Sequence, residues 1–368
     1  MSSAIKLAER LVMKFNNLPH LVGKEILSHL PVADLLIFTQ CSKKHMTYIR
    51  NLLKHELPKI ECLRIYFNHI ENSWEIENDS DKYIKMEPSS EVGDRLVMRP
   101  ICKMRLFGLE LRCCPATDHK PMIVFLEQEH GDCILQCFYN LIYTLFGPLM
   151  EYELWVDDGR QFGGTLSHHV PILPHITKSI FYIWHTKELE KTLEDLLLRS
   201  PNMDCIYLFQ MKSCDILDIP KISQIPELEI FSLDDDFGNL LRKFNGKRLT
   251  VMGFDGGHLD STTVIEFLLA WKSKNAYGNM ELLTVDCHSE WLNVDEIIEK
   301  CDIKQLDLDK DGPRFKYQES TPRGSHKQMN SNELDTFKES FEGDHYMVRE
   351  SDGRVASLKI TPKSFYFG

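Results

Sequence analysis

Pro31 ends one helix-like stretch, and Val32 to Cys41 reads as the next. Each residue of a helix turns by about 100°. Leu35, Leu36, Ile37 and Phe38 therefore point in four directions around the full circumference. A helix that is apolar all round has to be buried all round. Before it, Val22, Ile26, Leu27 and Leu30 recur at near-helical spacing, with Leu21 alone among the polar positions. After it, Lys43 to about Leu57 makes a third helix that stops at Pro58. A three-helix unit of about 40 residues has too little volume to shelter the second helix by itself. Two Leu-sized side chains left in water would forgo ~3–6 kcal/mol of burial. Either the rest of the chain packs over this helix, or a partner protein does.

Composition narrows the partners. The 368 residues carry 43 Lys plus Arg against 55 Asp plus Glu, a net charge of −12. Such a surface disfavours phosphate neutralisation and adhesion to an anionic leaflet, so neither nucleic acid nor membrane is expected as a partner. No apolar run approaches the ~18 residues of a membrane span. Lys6, Glu9 and Arg10 interrupt the N-terminal stretch, which lacks the apolar core of a secretion signal. The eleven cysteines are odd in number and contain no CxxC pair; the nearest spacings are Cys113-Cys114 and Cys133-x3-Cys137. Reduced, mostly inert thiols in a cytoplasmic or nuclear protein fit that pattern better than a disulfide framework.

Along the chain, 71–94 is acidic, Ser-rich and interrupted by Pro88, which suggests a surface loop. Beyond Leu96, strand-like and helix-like stretches alternate. Ile123 to Leu126 is β-type, Cys133 to Phe146 is helical up to Gly147-Pro148, and Tyr152 to Val156 is a strand. A loose repeat of apolar-x-apolar cores follows: Ile206-Tyr207-Leu208, Leu228-Glu229-Ile230, Leu249-Thr250-Val251, Leu283-Thr284-Val285 and Leu306-Asp307-Leu308. Helical patterns fill the gaps, among them Lys187 to Arg199, Thr262 to Lys272 after Asp260 and Ser261, and Val294 to Lys300 after a capping-box-like Asn293 and Glu296. The expected fold is α/β: three N-terminal helices, an irregular leucine-rich-repeat-like strand/helix solenoid, and a C-terminal hairpin tail turning at Asp352-Gly353. An ordinary α/β layer fold with the same spacing is the alternative.

No reaction centre stands out. Asp307-x-Asp309-x-Asp311-Gly312 opens like a calcium loop, but position 12 is Gln318 and Pro313 follows the glycine. His288-x-Glu290 lacks the downstream cysteines of a zinc deaminase. His168 and His169 are adjacent and would face opposite ways on a strand, and Gly163-Gly164 and Gly256-Gly257 read as turns. No catalytic residue, metal or cofactor is expected.

The N-terminal residues do carry a resemblance. Phe15-Asn-Asn-Leu18-Pro19-x2-Val22-x3-Ile26-Leu27-x2-Leu30-Pro31-x2-Asp34-Leu35, followed by Cys41-Ser42-Lys43, resembles an F-box. Many members carry a Trp soon after the Cys, where this chain has His45-Met46-Thr47-Tyr48. Further on, Phe267-Leu268-x2-Trp271-Lys272 with Met280 to Val285, and the ending Tyr346-x-Val348-Arg349-x2-Asp352-Gly353-x2-Ala356-Ser357-Leu358, resemble the type-2 F-box-associated region of nematode F-box proteins. The resemblance implies a lead-in at 1–12, an F-box at 13–58 and an associated domain at 59–368, with the type-2 signature about 249–310 and the closing segment about 344–360. It implies the substrate-recognition subunit of an SCF-type ubiquitin ligase, docked on a Skp-type adaptor and through it on a cullin. Leu18, Pro19, Ile26, Leu27, Leu30, Leu35 and Leu36 would be the adaptor contacts, although Ile26 and Leu30 serve equally well as core. Tyr207, Phe209, Phe231 and Phe254 are candidates for a target protein on the strand face. A repeat scaffold working outside any ligase is the rival reading.

Overall fold

The computed structural model describes residues 19–28, 30, 32–40, 45–47, 49–51, 62–68, 73–77, 82–88, 101–114, 121–126, 131–147, 151–157, 174–182, 193–194, 197–209, 221–231, 237–254, 260–287, 292–306 and 343–368. It divides into two compact units, one of 1–157 with 162–176 and one of 158–161 with 177–368.

The first unit opens with helices α1 (His20–Ser28) and α2 (Val32–Gln40), and residues 45–47 and 49–51 are also helical. Its strands are β1 (Cys62–Asn68), β2 (Ser73–Glu77), β3 (Lys82–Pro88), β4 (Cys102–Leu106), β5 (Leu109–Cys114), β6 (Met122–Leu126) and β7 (Glu151–Asp157). They lie in the order β7-β1-β2-β3-β6-β5-β4. Within the 71–94 segment, expected as a surface loop, 73–77 and 82–88 are therefore paired strands. Trp74 sits opposite Met86 and Ile76 opposite Ile84, all four buried. Glu75, Glu77 and Glu87 occupy alternate positions of these strands, where period-two patterning puts them on the other face.

That other face holds its charges in partnership. Arg64 donates from Nε to Glu153 Oε2 at 3.0 Å, Trp155 donates from Nε1 to the same oxygen at 3.0 Å, and the guanidinium lies 4.8 Å from the Trp155 ring centre. Between β6 and β7 runs α3 (Gly131–Phe146), with Ile134, Leu135, Phe138, Tyr139, Leu141, Ile142 and Leu145 buried. It ends where Gly147, at φ +74°, donates its N–H to Tyr143 O at 2.9 Å.

The second unit is built on five parallel strands: β8 (Lys178–Tyr182), β9 (Cys205–Phe209), β10 (Glu227–Phe231), β11 (Arg248–Phe254) and β12 (Leu282–Cys287). Four of the repeat instances fall in register. Ile206, Leu228, Leu249 and Leu283 form one buried row, and Leu208, Ile230, Val251 and Val285 the next. Helix α4 (Phe237–Lys243) joins β10 to β11, α5 (Ser261–Lys272) joins β11 to β12, and α6 (Val294–Cys301) follows β12. The caps are where the sequence puts them. Asp260 accepts from Thr263 N–H at 2.8 Å, and Asn293 accepts from Glu296 N–H at 3.3 Å.

The fifth repeat instance does not join the row. Leu306 follows β13 (Lys304–Gln305), which pairs antiparallel with β14 (His345–Val348). The place beside β12 is taken antiparallel by β16 (Ser364–Phe367), which in turn pairs with β15 (Val355–Ile360). An apolar-x-apolar triplet marks a strand but not its neighbour. The hairpin at Asp352-Gly353 joins β14 to β15, and β16 beyond it is core: Phe365 and Phe367 are buried, with Phe267 and Trp271 of α5 packed edge-on at 5.1–6.1 Å.

Candidate functional site

On α1 the apolar residues split between inside and outside. Leu27 is 4% exposed, whereas Leu21, Val22 and Ile26 stand 74%, 45% and 38% exposed. Val22 and Ile26 are one turn apart and share a face, and Leu21 adjoins Val22. Pro19, also exposed, starts the helix by accepting from Val22 N–H and Gly23 N–H, both at 3.0 Å. Leu30 is half-buried, and Leu18 lies outside the described residues.

On α2 the outcome differs from the expectation. Leu35 and Leu36 are 2% and 1% exposed, and the helix lies against β3. The chain itself thus shelters two of the four directions, and at these positions no partner is needed for burial. Ile37 and Phe38 are half-buried, with the Phe38 ring 4.8 Å from that of the buried His45. Thr39 donates from Oγ1 to Leu36 O at 2.6 Å, which satisfies its hydroxyl inside the packing. Asp34, in the first turn, is half-buried, and burial raises its carboxyl above the usual carboxylate range.

Among the described residues of these helices, the apolar strip open to solvent is therefore on the first. Of the seven residues expected at an adaptor, Pro19 and Ile26 are exposed and Leu30 partly so, while Leu27, Leu35 and Leu36 are interior. Leu21 and Val22 were not among them. Val22 belongs to the Leu-Pro-x2-Val motif and is spaced one turn from Ile26, a signal available in the sequence.

The four aromatic candidates of the second unit separate as well. Tyr207 is buried, and loss of water around its phenol pushes its pKa up, with Glu229 adding to the effect. Phe209 and Phe231, partners in register at the ends of β9 and β10, stack at 4.3 Å with planes 3° apart and are half-buried. Phe254 closes β11 opposite Cys287. The Asp307 to Asp311 string, His288 with Glu290, His168 with His169, and both glycine pairs lie outside the described residues. Among the described residues no group of three or more His, Cys, Asp or Glu side chains could hold a metal ion, and no helix is long and apolar enough to cross a membrane.

No curated protein and no solved structure matches the chain. Residues 15–56 match the F-box domain. That match encloses α1, α2 and the helical residues up to 51, the stretch that carries the Leu21, Val22 and Ile26 strip. The chain thus contains an F-box domain at its N-terminal helices, which suggests an adaptor role in an SCF-type ubiquitin ligase.

Proposed function

We propose that the chain is the substrate-recognition subunit of an SCF-type cullin–RING ligase, docking a Skp-type adaptor through 13–58 and a target protein through the domain that follows. The observation that carries this reading is the coincidence of the F-box match with an exposed apolar strip on α1. Burying Leu21 against an adaptor would supply roughly 1–2 kcal/mol, and the already half-covered Val22 and Ile26 about 1 kcal/mol each, before the cost of association. Exposed Pro19 and the half-buried Leu30 flank them in sequence, and half-buried Ile37 and Phe38 on α2 would widen the contact. The mechanism is proximity: a bound target is held near a conjugating enzyme carried elsewhere in the assembly, and the chain itself contributes no catalytic group. The cytoplasm or nucleus is the compartment that fits its thiols.

A type-2 F-box-associated domain is the reading we favour for the C-terminal region. Two stretches that suggested it separately come together there, because Arg349 of the closing segment lies 4.9 Å over the Trp271 ring. The stacked Phe209 and Phe231 are the best-placed candidates for target contact.

Burial of Leu35 and Leu36 inside the chain favours a second reading, a repeat scaffold that acts without a ligase. Size-exclusion chromatography of the full chain with purified adaptor separates the two. Co-elution that is lost in Val22→Asp/Ile26→Asp, with an unchanged melting temperature, supports the ligase reading. Failure of the folded wild-type chain to co-elute supports the scaffold.

A further inference from the structure

We propose that β4, the last strand of the first unit's sheet, is a docking edge for an extended segment of another protein that alternates acidic and apolar residues. Among the described residues no strand lies beyond β4. It pairs, among the described residues, with β5 alone, through a loop of two residues, Phe107 and Gly108, whose φ values of +53° and +85° make the type I′ turn of a tight hairpin.

That turn fixes which backbone groups are open. The pair flanking a two-residue loop is hydrogen-bonded, and along an antiparallel ladder bonded and non-bonded pairs alternate. Leu106 and Leu109 flank the loop, so Met104 and Cys102 also bond to β5. Lys103 and Arg105 then turn their N–H and C=O groups outward, ready for a further strand.

The side chains select what can bind. Lys103 and Arg105 are exposed on one face, with exposed Arg112 and Glu110 across from them on β5. Lys103 pairs with Glu110 at 2.7 Å, so three cations meet one carboxylate in a chain of net charge −12. An added strand would bring its alternate side chains to about 4.5–5.5 Å from Lys103 and Arg105. Carboxylates there are attracted and cations repelled. On the opposite face the newcomer would meet half-buried Met104 and buried Leu106, which favour apolar side chains.

A second copy of this chain is the wrong occupant. Two-fold pairing about Met104 would set Lys103 of one copy against Arg105 of the other, like charges directly opposite. Cations on an edge discourage indiscriminate pairing, and an acidic strand is the class for which they are attractive. This surface lies on the sheet rather than on α1, and the inference stands whether or not an adaptor binds.

Anisotropy of a labelled peptide of about eight residues alternating Val and Glu, added to the full chain without adaptor, tests the proposal. Binding should weaken with salt, and a Val/Lys peptide should not bind. Lys103→Glu/Arg105→Glu should weaken binding by about tenfold or more. Arg105→Pro removes an outward N–H while sparing the ladder to β5, and should weaken it comparably. No binding to the wild-type chain, equal binding of the Val/Lys peptide, or unchanged affinity in the charge-reversed variant would overturn it. So would a wild-type dimer that dissociates on the Arg105→Pro change. Should Arg105→Pro fail to fold, the charge-reversed variant decides.

Discussion

Arg349 holds Asp352 through two parallel hydrogen bonds, Nε to Oδ1 at 2.9 Å and Nη2 to Oδ2 at 2.8 Å. The backbone closes round them: Arg349 N–H donates to Arg354 O at 2.7 Å, and Gly353, at φ +70°, donates to Arg349 O at 2.9 Å. The side chain of Arg349 is buried over Trp271, so one residue ties the β14–β15 turn to α5.

The hydrogen bond from Arg349 is the main reason that the Asp352 carboxyl is held down at about 2. A pKa lower in the folded than in the unfolded chain stabilises the fold above the unfolded value, near 4, and that contribution is lost as pH falls toward 2. Asp352→Asn should therefore lower the melting temperature at pH 7, where buried Arg349 loses its counter-charge, and flatten its decline between about pH 4 and 2. Thermal melts across that range check both effects.

Gly246, between α4 and β11, has no room for a side chain. A Cβ there would run into the backbone carbonyl of Ile225 and the ring of Phe244. Neither can swing away cheaply, because Phe244 is buried and Ile225 leads into β10. Gly246→Ala should cost ~1–3 kcal/mol, read as a lower urea midpoint with an unchanged slope.

The thiols should divide by burial. Loss of water pushes Cys287 up to about 12 and Cys301 to about 11, and Cys205 well above its usual value, so their thiolates are scarce at neutral pH. Cys133 is exposed on α3. Brief iodoacetamide treatment of the native chain at about pH 8, followed by peptide mass mapping, should alkylate Cys133 well ahead of Cys113, Cys114, Cys205, Cys287 and Cys301. Equal labelling of Cys133 and Cys205 would contradict the packing described.

Much of this fold was readable where periodicity and burial agree. Leu228, Leu249 and Leu283 align in register because each sits at the same phase of its strand, in a row of fully buried side chains. The caps at Asp260 and Asn293 were legible because their bonds are local. Trp74 and Ile76 were hidden by Glu75 between them and Glu77 after them, which occupy the alternate face of the strand rather than a loop. Leu306 was misplaced because a strand's neighbour is decided by the whole sheet, here by β16. At the candidate site, the F-box motif was legible as a pattern, but the division between covered and open was not. A nine-residue helix such as α2 records how apolar it is, not that the chain itself buries Leu35 and Leu36.

That division makes stability and docking separable. Leu36 is 1% exposed in the packing of α2, so Leu36→Ala should cost ~2–5 kcal/mol through lost burial and the cavity left behind. Ile26 stands 38% exposed on α1, and Ile26→Ala should change stability by no more than about 0.5 kcal/mol. If α1 is the adaptor-facing helix, the same Ile26→Ala change should weaken adaptor binding measurably, since a few central apolar anchors carry most of the energy of such contacts. Urea unfolding and calorimetric titration with adaptor, run on both variants, should therefore give opposite orders: Leu36→Ala worse in the first, Ile26→Ala worse in the second per unit of stability lost. A Leu36→Ala variant that keeps wild-type stability would mean that α2 is not sheltered by its own chain, and would return the docking surface to the second helix.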